Sequence, residues 1–448
     1  MTSLPTDRNT QPAGVDAAVG EVVALASELI GIDTTNVGNP TTLGKERAAA
    51  EYVAEKLTEV GYEVTYVESG APGRGNVIAR LPGADSTRGA LLVHGHLDVV
   101  PADAAEWAVH PFSGEVRDGY VWGRGAVDMK DMLAMTLAVA RAFKRDGVVP
   151  ARDLIFAFVS DEEAGGFYGA HWLVDHHPEL FEGAREAISE VGGFSITVAD
   201  DARAYLVETA EKGVMWLRLK VEGTAGHGSM LHTDNPVAKL AAAITRLEQH
   251  RFPLILSAPV REFLQGVGDL TGVPFDENDP EGAVARLGNL SRLIGATLRD
   301  TANVTMFSAG YKANVVPGVA TATVDGRMLP GREAAFEADL ARILGPEVKL
   351  EWDSLPPVQT TFDGALVEAM TLAIAAEDPG ARLLPYMLSA GTDAKSFARL
   401  GIRNFGFAPL KLPAELDFTA LFHGVDERVP IDALQFGVRV LYRLLRDS

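Results

Sequence analysis

Two apolar runs in the first third of the chain, ALLVH at 90–94 and DLIFAFV at 153–159, lack the alternation of a strand with one wet face. They read as strands covered on both faces, the pattern of a parallel sheet wrapped by helices. Helical periodicity at 15–31, 45–60 and 130–145 alternates with these runs and with the strands YEVTYVE and NVIARL, and a further short helix is expected near 169–175. In the second helix Val53, Leu57 and Val60 recur at i, i+4 and i+7, and Gly61 stands where a C-terminal cap belongs. The alternation predicts a mostly parallel α/β sheet. Ligands gather at the carboxyl ends of the strands in such sheets. HGHLD and SDEE both lie where an apolar strand stops.

The rhythm changes near Lys212. VMWLRLKVEG, VTMFSAG and VATATVDGRML read as strands around a long helix at 236–249, an α+β unit inserted into the first domain. The α/β pattern is expected to resume after Pro330 with the helices REAAFEADLARIL, GALVEAMTLAIAAE and DALQFGVRVLYRLLRD. This gives a catalytic domain of residues 15–211 and 331–448, an insertion of residues 212–330, and a loose tail over residues 1–14. PFDENDPEG reads as a surface loop. Two domains also suit 448 residues, which exceed what one core usually supports.

Composition removes several functions. The chain has no cysteine, so thiolate zinc sites, disulfides and a cysteine nucleophile are absent. A net charge of −21 without a compensating basic block argues against nucleic acid or an anionic membrane as partner. No apolar run approaches the roughly 20 residues of a membrane span. The start MTSLPTDRNTQPAG lacks the layout of a secretion signal, and a cytoplasmic location is expected.

The chemistry-bearing residues are spread along the chain. His96 and Asp98 form an HxD at the end of an apolar run, Asp128 lies in GRGAVDMKD, Glu162 and Glu163 in SDEEAGG, Glu190 in ISEVGG, and His423 in FHGVDERVP. His96, Asp128, Glu163, Glu190 and His423 supply one imidazole and one terminal carboxylate for each of two metals, with one carboxylate to bridge. Hydrolytic zinc needs such nitrogen and oxygen ligands with a position left for water. His94 shares strand parity with His96, but a third imidazole is not required, and it reads as a satisfied or solvent-facing histidine.

In this order, over nearly the whole chain and including the insertion, the motifs resemble the M20 family of metallopeptidases and amidohydrolases. That resemblance implies a zinc-peptidase-like α/β catalytic domain with an inserted α+β lid or dimerisation domain. It implies two divalent ions, most often Zn2+ with Co2+ or Mn2+ able to substitute, and an amide cleaved next to a free carboxylate, in a peptide or an N-acyl amino acid. It makes His96 and Glu190 ligands of one metal, Glu163 and His423 ligands of the other, Asp128 the bridge and Glu162 the general base. Asp98 would orient His96 by hydrogen bonding its distal ring nitrogen. His227, in GTAGHGS, would help hold the scissile carbonyl, often from a partner subunit, so a homodimer is expected. Asn314 and Arg327 would bind substrate, the guanidinium through its planar fork, and Gly391 in SAGTDA would face the substrate's carboxylate end. Asp131 departs from the glycine more common after DMK in the family. Two other readings stay open: a catalytically silent binding protein on the same fold, and an aminopeptidase that recognises a free amine. A serine hydrolase would need a GxSxG elbow, and the chain has none.

Overall fold

The computed structural model describes residues 13–39, 44–199 and 202–448. The described chain forms two compact units. The first takes the chain up to Glu208 with Phe362–Leu384 and Thr392–Ser448, and the second takes Thr209–Thr361 with Pro385–Gly391.

The first unit is built on a twisted mixed sheet. Its strand order is Val64–Glu68, Gly75–Leu81, Leu154–Val159, Ala90–His96, Ala184–Ser189, Arg403–Gly406, then Ala202–Glu211, which pairs at Glu208. The four strands from Leu154–Val159 to Arg403–Gly406 run parallel, and the outer ones are antiparallel. As the unbroken apolar runs require, Ala90–His96 and Leu154–Val159 are buried along their whole length. Leu92, Ile155 and Ala187 pack with Leu173 and Phe397 on one face. On the other face Gly95 lets Met129 and Leu133 approach closely: a Cβ there would lie 2.4 Å from Met129 Cε and 2.7 Å from Leu133 Cδ2. Each buried Leu, Ile, Val or Phe contributes about 1.5–3 kcal/mol, so truncating Ile155 or Phe156 to alanine should cost about 2–5 kcal/mol. The helices Ala13–Gly31, Lys130–Asp146 and Ile431–Asp447 pack on one another. Gly147, at φ 64°, ends the middle one with its N–H on the Phe143 carbonyl.

The second unit holds a four-stranded antiparallel sheet in the order Thr301–Ala309, Val319–Met328, Gly213–Glu222, Lys349–Leu355. The helices Pro236–Gln249 and Glu333–Leu344 share a core with it, including Leu217, Leu240, Leu247, Val324, Phe336 and Leu340. This corrects the expected boundary. The helix REAAFEADLARIL and the strand after it belong with the insertion, because the strand pairs with Gly213–Glu222 and the helix covers that sheet. The chain re-enters the first unit at Phe362 rather than after Pro330. The segment left unassigned by periodicity contains the helices Ala258–Thr271, Pro280–Ala285 and Leu290–Gly295. PFDENDPEG is a loop only as far as Asp279, which caps the second of these by accepting the Gly282 N–H. Most of the expected tail over residues 1–14 lies outside the described residues, and the first helix begins at Ala13. Among the described residues no helix is long and apolar enough to cross a membrane.

Candidate metal centre

Three adjacent parallel strands put most of the candidate ligands at one sheet edge. His96 ends the central strand Ala90–His96, with Leu154–Val159 on one side and Ala184–Ser189 on the other. Glu162 and Glu163 follow the first neighbour and Glu190 follows the second. Asp128 stands just before the helix Lys130–Asp146, and the peptide bond after it is cis. His423 arrives from far along the chain because Arg428–Pro430 pairs antiparallel with Tyr120–Trp122, drawing its loop toward the Asp128 loop.

The donors fall into two groups, His96, Asp128 and Glu190, and Asp128, Glu163 and His423, with donor atoms within 4.8 Å of one another in each. Asp128 belongs to both. Its Oδ1 lies 3.2 Å from His96 Nε2 and its Oδ2 3.1 Å from His423 Nε2. Glu190 Oε2 is 3.5 Å from the first imidazole, and Glu163 Oε2 is 3.3 Å from the second. Glu163 Oε1 is buried without a partner. Carboxylates thus outnumber imidazoles in a site that is buried at His96 and Glu190 and exposed at His423, and nitrogen and oxygen donors without thiolate suit a divalent cation.

Electrostatics reports the same crowding. Burial pushes Glu190 up to about 7, and burial with the Asp128 charge raises Glu163. For Asp128 burial also acts upward, but His423 and His96 more than reverse it and hold the carboxyl well below its usual range. Hydrogen bonds to Asp128 and Glu163 carry His423 up to about 10. Burial opposes charge on His96, yet the Glu190 and Asp128 carboxylates raise it well above its ordinary value. Glu162 lies outside both donor groups, and burial and the Glu190 charge raise its carboxyl strongly.

Asp98 differs from expectation in one respect. The His96 Nδ1–H donates to the Asp98 backbone carbonyl at 2.9 Å, while the nearer carboxylate oxygen is 3.7 Å away. The carboxylate is occupied elsewhere: it accepts the backbone N–H groups of Glu162 and Glu163, each at 3.1 Å, and the Asn36 side-chain amide at 2.8 Å. His94 is not solvent-facing. It is buried against Phe397 with ring centroids 4.6 Å apart, and burial, opposed by the Asn404 side chain, pushes it down to about 3. Asp131 is buried with Oδ1 unpartnered, and burial raises its carboxyl strongly.

Backbone strain collects here. Among the described residues the non-glycine positions with positive φ are Asp118, Asp161, Val191, His423 and Asp426. Three of them, Asp161 before Glu162, Val191 after Glu190, and His423 itself, shape the donor loops, where strain of about 1–3 kcal/mol persists only if the surroundings enforce it.

The remaining expected residues lie in the second unit, and the fold separates them. His227 pairs with Val315 in a short two-stranded ladder, and the Gly228 N–H donates to the Asn314 carbonyl at 2.8 Å, so His227 and Asn314 are neighbours. His227 is exposed, with Nδ1 2.8 Å from Ser229 Oγ. Arg327 is near the far end of Val319–Met328, opposite Val214, and its fork is closed on Asp325 at 2.5 and 2.9 Å. Gly391 ends the segment Pro385–Gly391. The sequence reading passed over Asn36, Arg124 and Glu427, which fix the donor loops from behind. Glu427, four residues beyond His423 and just before a short strand, carried the one usable signal.

The model of peptidase family M20/M25/M40 matches residues 92–447. The chain belongs to peptidase family M20. This M20 protein is 30% identical over 392 residues to human N-fatty-acyl-amino acid synthase/hydrolase PM20D1, covering 82% of this chain and 76% of that one. It is 28% identical over 417 residues to aminoacylase-1 of Sus scrofa, covering 89% of each. The fold matches the crystal structure of the M20 metallo-carboxypeptidase Sso-CP2 from Sulfolobus solfataricus with a TM-score of 0.71, at 16% identity over 95% of this chain and 98% of that one. The α/β architecture with a largely parallel central sheet is thus that of M20 enzymes, and this is a hydrolase of that family.

Proposed function

We propose that this M20 enzyme is a dinuclear-metal hydrolase that cleaves an amide next to a free carboxylate, with N-acyl amino acids as its leading substrates and dipeptides as the second class. The observation that carries the reading is Asp128, whose two oxygens each face one imidazole. His96 and Glu190 would hold one divalent cation and Glu163 and His423 the other, with Asp128 shared. Imidazole and carboxylate donors suit zinc and admit cobalt or manganese. When bound, such a pair supplies an activated water and polarises the scissile carbonyl.

Glu162 is the proton carrier in this reading. Burial and the Glu190 charge raise its carboxyl, the direction that suits a group which accepts a proton and later delivers it to the leaving nitrogen. Glu162 and Glu163 are successive residues of the short 3-10 turn Glu162–Ala164, so their side chains diverge and can take separate tasks. The relatives named for N-acyl amino acids favour an acyl substrate over a free-amine one.

His227 and Asn314 are taken as carbonyl-holding residues, Arg327 as the partner of the substrate carboxylate, and Gly391 as a backbone contact at that end. Eight residue steps along one strand separate Val319, beside the His227 ladder, from Arg327. At roughly 3.3 Å per residue that is about 26 Å. One small substrate cannot meet both sets within one copy, which favours a homodimer whose second copy brings His227.

The test is Glu162→Gln assayed by free amine released from N-acyl amino acids and dipeptides. Metal content should stay at the unmodified level while kcat falls by about 10²–10⁴-fold. Undiminished turnover after exhaustive dialysis against a chelator would sink the metal reading.

A further inference from the structure

Behind the candidate metal centre a single carboxylate ties two donor loops together. Glu427 is fully buried and Arg124 nearly so. Glu427 Oε1 accepts the backbone N–H groups of Val127 at 2.7 Å and Asp128 at 3.2 Å. Its Oε2 accepts Arg124 Nη1 at 2.6 Å and the Gly125 N–H at 3.1 Å. The other Arg124 nitrogen, Nη2, donates to the His423 carbonyl at 3.3 Å. The main chain completes the tie, since the Gly123 N–H donates to the Glu427 carbonyl at 2.9 Å.

The residues at the two ends of this relay are the shared carboxylate and the imidazole of the second donor group. Asp128 is held through its own backbone nitrogen and His423 through its own carbonyl. No backbone hydrogen bond joins residues 123–128 directly to His423 among those described. His423 also sits at φ 57°, a conformation a non-glycine residue keeps only when its surroundings impose it. The guanidinium is suited to imposing it, because its rigid fork serves Glu427 and the His423 carbonyl at once, which an ammonium would not do. It also lies over the Trp107 ring, 5.2 Å from the centroid, which limits its freedom.

We propose that Glu427, acting through Arg124, is a positioning residue that sets the spacing between Asp128 and His423 and so determines how tightly the second metal position, Asp128 with Glu163 and His423, is held. The proposal rests on the dinuclear reading and adds a site-selective consequence to it. Asp128 serves both positions, but the Glu190 carboxylate and the His96 ring, whose Nδ1 is held by the Asp98 carbonyl, stand outside the relay, whereas His423, held through Arg124, serves only the second, so the first position should be affected much less.

The experiment titrates metal-stripped, full-length protein with Zn2+ against a chromophoric chelator, and with Co2+ by its visible absorption, for the unmodified protein, Glu427→Gln and Arg124→Lys. Glu427→Gln puts an amide NH2 against a donor but keeps the volume. Arg124→Lys keeps the charge and loses the fork. The unmodified protein should show two sites. Both variants should keep the tighter or first-filled site within a few-fold and weaken the other by about 10–100-fold. The Co2+ spectrum of that second site should change, and far-ultraviolet circular dichroism should be retained. Two sites of unmodified affinity in a folded variant, or equal weakening of both, would overturn the proposal while leaving the dinuclear reading intact. An unmodified protein that binds fewer than two ions would remove both. If Glu427→Gln does not fold, Arg124→Lys alone decides, by the same site-selective loss or its absence.

Discussion

The carboxylate of Asp98 bridges the backbone nitrogens of Glu162 and Glu163, one oxygen to each at 3.1 Å, while its carbonyl takes the Nδ1–H of His96. One residue therefore holds an imidazole through its main chain and two carboxylate residues through its side chain. The tasks are separable, because an asparagine keeps the carbonyl and loses the second acceptor oxygen.

Asp98→Asn should accordingly leave metal affinity within a few-fold of the unmodified enzyme. It should lower kcat and cost about 1–3 kcal/mol of stability, the penalty for setting an amide NH2 against a buried backbone donor. Metal titration, steady-state kinetics and thermal unfolding measure the three effects. A loss of about 10–100-fold in metal affinity with kcat preserved in the loaded enzyme would instead mean that the carboxylate chiefly places a metal ligand, Glu163 or His96, rather than Glu162.

The sheet and the sites at its edge were legible for a shared reason. Fully apolar strands announce burial on both faces, and polar clusters where they stop mark the end at which ligands gather, so His96, Glu162 and Glu163 were readable as neighbours, whereas Glu190 follows AREAIS, which is not an apolar run, and was placed by resemblance. The reach from Asp128 to His423 was readable only by resemblance, because the pairing of Arg428–Pro430 with Tyr120–Trp122 involves two three-residue strands without a pattern. The strand Lys349–Leu355 is mostly exposed and does not alternate, so nothing in its residues assigned it to the second unit's sheet. Beyond its nearness to His423, nothing in its residue type separates Glu427 from the other acids of an acidic chain. Only its four donors show that burial is tolerated there, since a buried carboxylate needs its oxygens satisfied.

The pH dependence of metal binding follows from the two imidazoles. His423 is raised to about 10 by Asp128 and Glu163, and His96 is raised by Glu190 and Asp128 against its burial. A raised histidine adds stability that is fully present below its unfolded value of about 6.5 and is lost as pH rises through the folded value. For His423 that window runs from about 6.5 to about 10. Lys130 and Lys212, pushed down to about 7 by burial, act in the opposite sense on the whole protein, so the informative quantity is the difference between metal-loaded and stripped protein. Because metal displaces the imidazole protons, affinity should rise by about tenfold per pH unit or more across this window. Zn2+ titrations and paired thermal melts at pH 6.5, 7.5 and 8.5 measure it. An affinity flat in pH would show that neither imidazole is protonated in the stripped protein.

Arg327 is expected to exchange partners when substrate binds. Its pair with Asp325 is part-exposed, and such pairs contribute about 0–1 kcal/mol, less than the roughly 1.5–3 kcal/mol of a hydrogen bond to a charged group in an enclosed site. Arg327→Ala should lower kcat/KM for free-carboxylate substrates by roughly two orders of magnitude and change little for their amides or esters. Asp325→Asn, which releases the fork, should lower KM for the free acids. Equal turnover of blocked and free substrates by the unmodified enzyme would remove Arg327 from the site and favour recognition of a free amine.

The last prediction tests whether one copy is sufficient. His227 and Asn314 share the ladder near Val319, and Arg327 lies about 26 Å away at roughly 3.3 Å per residue along the same strand. If both ends contact one substrate, they come from different copies, and each site uses Glu162 of one chain with His227 of the other. Glu162→Gln and His227→Ala proteins, each inactive alone, should then recover activity when mixed under conditions of subunit exchange. A dimer carrying one of each keeps one site in which both residues are intact. With random exchange of equal amounts, half the dimers are mixed and each has one good site, so about one quarter of the unmodified activity is the expected ceiling. Size-exclusion chromatography with light scattering supplies the oligomeric state, and labelled subunits report the extent of exchange. Complete exchange with no recovery would place His227 and Glu162 of the same chain in one site, and Arg327 could then touch the same small substrate only from the other copy.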